Sequence, residues 1–281
     1  MRMRLPLCGL MLCLLLRAET TMAAASAACR LFATSVMPGL FPYMVLSLMV
    51  VSRMKRISPM LIMLMGWCSG SPTGARLLQL FPELTQQQRA RLAVSTATMS
   101  PMFLMGTVGG WLHSPLAGMV CLVSVIVGGW LAGRIAGAFN HTSSPESRMP
   151  DSEFRAPSPL SFGAAVEQSA RTMLLVCGTM VLLRVFAALA GELLPSALVL
   201  PLTTLLEVTT GASAIAALPL PLPWRTALIA GATGFGGMAI IMQNRAVMNS
   251  EGMSLGRQIL WQAVHGGISF LIALGWMWLL C

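Results

Sequence analysis

Residues 194–218 read LPSALVLPLTTLLEVTTGASAIAAL, and this stretch decides the fold. It is long and apolar enough to enter a bilayer, since about 20 apolar residues cross the ~30 Å of hydrocarbon as a helix. Yet Glu207-Val208-Thr209-Thr210-Gly211 interrupts it with a carboxyl group, two hydroxyls and a glycine. A carboxyl group inside an apolar segment is costly and marks a substrate, ion or proton site. Thr203, Thr204, Thr209 and Thr210 are close enough in sequence to donate hydrogen bonds to it. The competing reading is an acid that caps a helix or snorkels to the outer surface.

The rest of the chain has the same character. Of 281 residues, 56% are apolar and 10% are charged, against about 25% charged in a soluble domain. With a mean hydropathy of +0.76, there are too few charges to cover a soluble surface, and the chain reads as an all-α polytopic membrane protein. The net charge of +9 comes from 18 Lys+Arg against 9 Asp+Glu. These basic residues lie between apolar runs, so they set orientation in the bilayer and do not imply nucleic acid. The seven cysteines are scattered and form no C-x-x-C, so neither a disulfide framework nor a zinc site follows.

Read from its start, residues 1–35 comprise a short apolar run, Leu5–Leu16, and an Ala/Thr-rich segment, Ala18–Ser35. We read the first as a retained span, the alternative being the core of a signal peptide, and the second as an interfacial amphipathic helix. Residues 36–139 form a first transmembrane repeat. It holds Val36–Val51, a stretch 57–80 broken at Ser69-Gly70-Ser71-Pro72-Thr73-Gly74, a span Leu92–Leu112 broken at Ser100-Pro101, and a glycine-rich span Leu116–Phe139. Residues 140–159 are a Ser/Pro-rich hydrophilic linker. Residues 160–281 form a second repeat, with Leu160–Ala190, the broken stretch 194–218, Trp224–Met248 broken at Gly234-Phe235-Gly236-Gly237, and Gly256–Leu280.

The halves echo one another. Thr73-Gly74-Ala75 matches Thr210-Gly211-Ala212, and Gly128-Gly129 matches Gly266-Gly267, at offsets of 137 and 138. Repeats with broken segments at corresponding places point to a secondary-transporter architecture with its site near the midplane. If 57–80 and 194–218 are re-entrant hairpins, Arg76, Arg89, Arg91, Arg134, Arg148 and Arg155 all lie inside, together with the N-terminus. If both cross fully, these six move outside, against the positive-inside rule. The expectation is therefore two inverted repeats in a bacterial inner (cytoplasmic) membrane, each with a re-entrant hairpin and a broken helix.

The candidate site follows from that arrangement. Non-helical backbone at membrane depth must be buried in protein or reached by water, so two tips entering from opposite faces would enclose a polar cavity. Glu207, Thr209 and Thr210 belong to one tip, and Ser69, Ser71 and Thr73 to the other. Hydroxyls and free amides at a helix start suit a polar ligand, although tight packing of small residues explains the first tip equally well. Ser100 precedes Pro101, which lacks a backbone donor and leaves carbonyls free. Gln243 and Asn244 lie past the glycine break and would line the path, although an interfacial position explains them equally well. Arg184, deep in its span, needs a partner, and Glu192 is the expected one.

No cofactor is implied, while a coupling Na+ or H+ is compatible with Glu207. The expected partners are the bilayer and a small polar solute, with a homo-oligomer left open. Ser69 and His265 suggest only faintly the Ser-His dyad of rhomboid-type intramembrane proteases, because Gly66 stands three residues before Ser69 and the Gly-x-Ser-Gly spacing is not met. There is no P-loop, dinucleotide fingerprint or metal-ligand spacing, so the protein is read as a non-enzyme.

Several motifs resemble one known family. Val36-Met37-Pro38-Gly39-Leu40-Phe41-Pro42-Tyr43 resembles the V-x-P-S-L-F-P-F stretch of YlbJ-type sporulation integral membrane proteins. Ser69-Gly70-Ser71-Pro72-Thr73-Gly74-Ala75-Arg76 is similar to their S-G-Y-P-x-G-A-K, and Ser100–Gly109 to their S-x-P-L-F-I-x-G-x-V-G. Glu207–Gly211 and Gly236-Gly237 with Gln243 resemble their second-half E-x-T-x-G and G-G-x-x-x-x-x-Q. The resemblance runs nearly end to end and implies the nucleoside-recognition "Gate" group, whose core resembles concentrative nucleoside transporters. It implies a transporter-like protein for a small polar solute or, alternatively, a non-transporting structural protein of spore formation. Two departures stand out. The stretch from Arg56 to Gly66 is shorter, and Ser-Pro-Thr-Gly replaces the Gln-Thr-Glu of nucleoside transporters at the first tip.

Overall fold

Helix length divides this chain into elements that cross a bilayer and elements that do not. The computed structural model describes residues 4–54, 56–81, 83–139, 154–155, 158–248 and 253–280. The linker expected over 140–159 lies mostly outside the described residues, as do Arg2, Lys55 and Arg148. Five helical stretches are long and apolar enough to cross: Ala18–Arg53, Pro115–Phe139, Phe162–Gly191, Leu222–Val247 and Leu255–Leu280. The protein is an all-α, multi-pass membrane protein.

The first helix, α1 (Arg4–Leu16), has 13 residues. At 1.5 Å per residue it reaches about 20 Å, short of the hydrocarbon thickness. Next, α2 (Ala18–Leu31), a π-helical turn Phe32–Val36 and α3 (Met37–Arg53) run on as one 36-residue helix. The segment expected as a separate interfacial helix is thus continuous with the span after it. After α3, a two-residue strand β1 (Arg56–Ile57) pairs antiparallel with β2 (Phe154–Arg155).

The first broken stretch is a helical hairpin. Pro59 opens α4 (Pro59–Ser69), where its missing N–H is no loss, and Ser58 Oγ accepts from Leu61 N at 3.3 Å. Gly70 ends it at φ +71°, a left-handed conformation open to glycine; a Cβ there would meet Ser100 N at 2.6 Å. The chain then returns as α5 (Thr73–Gln79), so close that a Cβ on Gly66 would lie 3.5 Å from the Gly74 Cα.

A capping box between Thr85 and Gln88 starts α6 (Gln86–Ser95) before the expected start of the span at Leu92. Non-helical backbone follows from Ala97 to Ser100, then a π-helical turn Phe103–Val108 and α7 (Gly109–Trp111). The long α8 (Pro115–Phe139) closes the first half.

The second half begins with α9 (Phe162–Gly191) and repeats the same order. A hairpin of α10 (Ser196–Leu206) and α11 (Val208–Ala216) turns at Glu207, with Gly211 pressed against Thr204. A broken helix, α12 (Leu222–Phe235) and α13 (Gly237–Val247), bends at Gly236 (φ +80°). α14 (Leu255–Leu280) ends the chain as described.

Two apolar cores hold these parts together. One joins α3, α4 and α5 to α9, and the other joins α8, α11, α12 and α14. The counterparts α8 and α14 run antiparallel: Phe139 lies against Trp261 with ring centroids 5.7 Å apart, while the Val125 carbonyl accepts from His265 Nε2 at 2.9 Å. Small residues set these distances. A Cβ on Gly133 would sit 2.6 Å from the Arg91 carbonyl and collide with Ser95 Oγ. Lipid tails give no hydrophobic drive between helices, so close van der Waals packing must supply it.

Candidate functional site

The two hairpin turns and the two helix breaks meet around one small cavity of about 30 Å³. Ser71 comes from the first hairpin, Ser100 from the first break, Glu207 and Thr209 from the second hairpin, and Gln243 from α13 beyond the second break. Val36 and Leu40 from the long first helix, with Val176 and Met180 from α9, form its apolar wall. Both halves of the chain therefore contribute polar groups to one enclosure.

Glu207 is buried, with 1% of its surface exposed. Its backbone is extended, which leaves the amides at the start of α11 without helical acceptors. The carboxylate accepts from them: Oε1 from Thr209 N at 2.9 Å, and Oε2 from Thr210 N at 2.7 Å. Thr210 Oγ1 also donates to Oε2 at 2.5 Å. Arg184 Nη1 donates to that same Thr210 oxygen at 2.7 Å. A cation, a hydroxyl and an acid thus stand in line, and such charge-assisted bonds are roughly twice as strong as neutral ones.

This corrects the expected pairing of Arg184 with Glu192. Glu192 instead bridges Arg17 at 3.3 Å and accepts from Thr20 Oγ1. The reason is geometric: α2 lies beside the end of α9, and the hairpin turn lies beside Arg184. Sequence separation along one helix could not reveal either neighbour.

The other candidates fall into two groups. Ser71 Oγ donates to Asn244 Oδ1 at 2.7 Å, so the first turn is tied to α13. Gln243 Nε2 donates to Thr179 Oγ1 at 2.7 Å, which orients its amide within the cavity wall. Ser100 Oγ accepts from Phe103 N at 3.2 Å and starts the helix after the break.

Ser69 and Thr73 are not among the cavity-lining residues. Ser69 Oγ lies 2.5 Å from Ser47 Oγ and donates to the Met65 carbonyl, so it joins α4 to α3. Thr73 is fully buried and its Oγ1 has no partner among the described residues. Sequence reasoning also passed over Thr179, the one hydroxyl on α9 that meets the cavity network. Its position three residues after Val176 and one before Met180 was the available signal.

Among the described residues no group of three or more His, Cys, Asp or Glu is placed to hold a metal ion. The donors at the cavity are carboxylate, hydroxyl and amide oxygens. Comparison of the chain with protein-family models, with curated proteins and with solved structures finds no match in any of the three.

Proposed function

We propose that the protein is a transporter-like membrane protein of the nucleoside-recognition Gate type, binding or moving a small polar solute at the cavity around Glu207. One observation carries this reading: Ser71, Ser100, Glu207 and Gln243, from two hairpins and two broken helices, line one enclosure. Helical arms of 11 residues, as in α4 and α10, reach about 16 Å, half the hydrocarbon depth, and fold back. That supports re-entrant hairpins. The antiparallel run of α8 against α14, equivalent helices of the two halves, supports inverted repeats. In such a frame one half rocks against the other about a fixed midplane site, and Glu207 would take a cationic group of the solute, or a coupling Na+ or H+.

The test uses purified protein in liposomes, with uptake of nucleosides, amino acids and sodium followed in the wild type and in Glu207→Gln. Uptake of one class, lost in the variant while the fold remains, supports the reading. Absence of any binding or uptake across these classes defeats it.

A second reading has its own observation. Both Glu207 oxygens are already engaged as the cap of α11, and Ser71 is engaged by Asn244. A closed network of this kind suits a non-transporting scaffold protein of the sporulation membrane, in which the hairpins are structural. Fold alone does not decide between them. A sporulation phenotype restored in full by Glu207→Gln would favour the scaffold.

A further inference from the structure

A second recess, of about 270 Å³, lies between α4, α6 and α8, at the end of the bundle where α6 and α8 carry Arg91 and Arg134. Its chemistry changes with depth. On α4, Ser58 stands at the helix start and Met63 more than a turn further in. On α6, Gln88 and Arg91 lie nearer the helix start than Leu92. On α8, which runs the other way, Trp130 lines the recess, and Arg134, one turn nearer the end at Phe139, stands beside it without lining it. The recess thus offers polar and cationic groups, Ser58, Gln88 and Arg91, beside apolar ones, Met60 and Trp130.

The two cations are neighbours. The Arg91 stem lies against Gly137, one turn from Arg134 on α8, and the Arg134 guanidinium sits 5.1 Å over the Trp130 ring. Neither has an acidic partner among the described residues. Met60, another of the lining residues, is 53% exposed, so the recess opens sideways. Free phosphate would use the arginines but leave the apolar floor unfilled. A zwitterionic lipid would fill the floor, but its ammonium would oppose the arginines.

We propose that this recess binds one anionic phospholipid, with its phosphate at Arg91 and Arg134 and an acyl chain along Met60 and Trp130. Basic pockets between transmembrane helices recognise such headgroups by charge, and the acyl chain adds burial. The site is independent of the cavity at Glu207.

The test is lipid binding by the purified full-length protein in neutral detergent, read by native mass spectrometry and by thermal shift. Phosphatidylglycerol, phosphatidylethanolamine and inorganic phosphate are added separately. Phosphatidylglycerol should bind and raise the melting temperature. Arg91→Gln with Arg134→Gln should weaken that binding by about 30-fold for two charges, whereas Arg257→Gln, on the exposed face of α14, should not. If the double variant does not fold, Arg91→Lys and Arg134→Lys, which keep the charge, should retain binding, and each single Gln variant should lose part of it. Equal binding of phosphatidylethanolamine, unchanged binding in the Gln variants, or full occupancy by inorganic phosphate alone would overturn the proposal.

Discussion

Ser71 in the first hairpin donates its hydroxyl to Asn244 Oδ1 in α13, 2.7 Å away in space and 173 positions away in sequence. Both side chains are buried, so neither finds water as a substitute. A net contribution of about 0.5–1.5 kcal/mol is ordinary for such a bond, and an orphaned partner costs more. Ser71→Ala and Asn244→Ala should each lower the melting temperature in detergent. The double variant should melt no lower than the worse single one, because both remove the same bond. Additive losses would show that the bond does not join the halves.

Glu207 makes a sharper case, because its two oxygens serve three donors. Glu207→Gln keeps one oxygen, but turns an amide NH2 toward the α11 amides. Glu207→Ala removes the cap altogether and deprives the Arg184–Thr210 pair of its acid. The alanine variant should lose about 1–2 kcal/mol from the cap alone, and the glutamine variant less. Both should lose any solute binding. Arg184→Gln combined with Glu207→Gln should cost less than the sum of the two, a non-additivity read from melting curves. Solute binding at wild-type strength in Glu207→Gln would remove the acid from the proposed role.

Glycine contacts yield a contrast that does not depend on function. At Gly133 a Cβ has no room against Ser95 and the Arg91 carbonyl, whereas at Gly267 nothing lies within 4 Å. Gly133→Ala should therefore destabilise by about 1–3 kcal/mol through overpacking of α6 on α8. Gly267→Ala should be neutral or slightly stabilising, since alanine is the better helix former. Equal melting temperatures for the two variants would contradict this packing.

Topology can be read with single cysteines in a cysteine-free background. Gln86 and Ser161 stand at the starts of α6 and α9, and the two helices meet one core at this end through Leu84 and Ala165. His113, between α7 and α8, stands at the other. Under the hairpin arrangement a membrane-impermeant thiol reagent applied from outside should label position 113 and spare 86 and 161. Labelling of both 86 and 161 from outside, with 113 spared, would mean that the first hairpin crosses completely.

Much of this architecture was legible in the chain, because lipid forces apolar length and broken apolar length into view. The breaks at Gly70, Ser100, Glu207 and Gly236 fall where glycine, proline or a lone acid interrupts an apolar run. The meeting of Ser71, Ser100, Glu207 and Gln243 at one cavity was also within reach, because the repeat aligned their segments. Arg184 was not, because its partner is set by how a hairpin leans on α9. Ser69 was misplaced for a similar reason: one residue before a turn, a helical side chain points along its own helix, here to Met65 and Ser47. The unbroken run through Ala18–Arg53 was hidden as well, since its alanines and threonines look interfacial until Ala24 and Ala28 are seen buried.

That unbroken run has a consequence for the shape of the protein in its membrane. Val36 and Leu40, at its middle, line the Glu207 cavity. If the cavity sits at mid-depth, about ten residues on either side fill the hydrocarbon. The remaining Ala18–Ala27 does not stand free, because Ala24 packs against Val185 and Leu189 of α9. The Arg17–Glu192 bridge pins the start of the long helix to the end of α9. The long helix is thus fastened to α9 at its start while its middle walls the Glu207 cavity, so it cannot tilt without moving that wall.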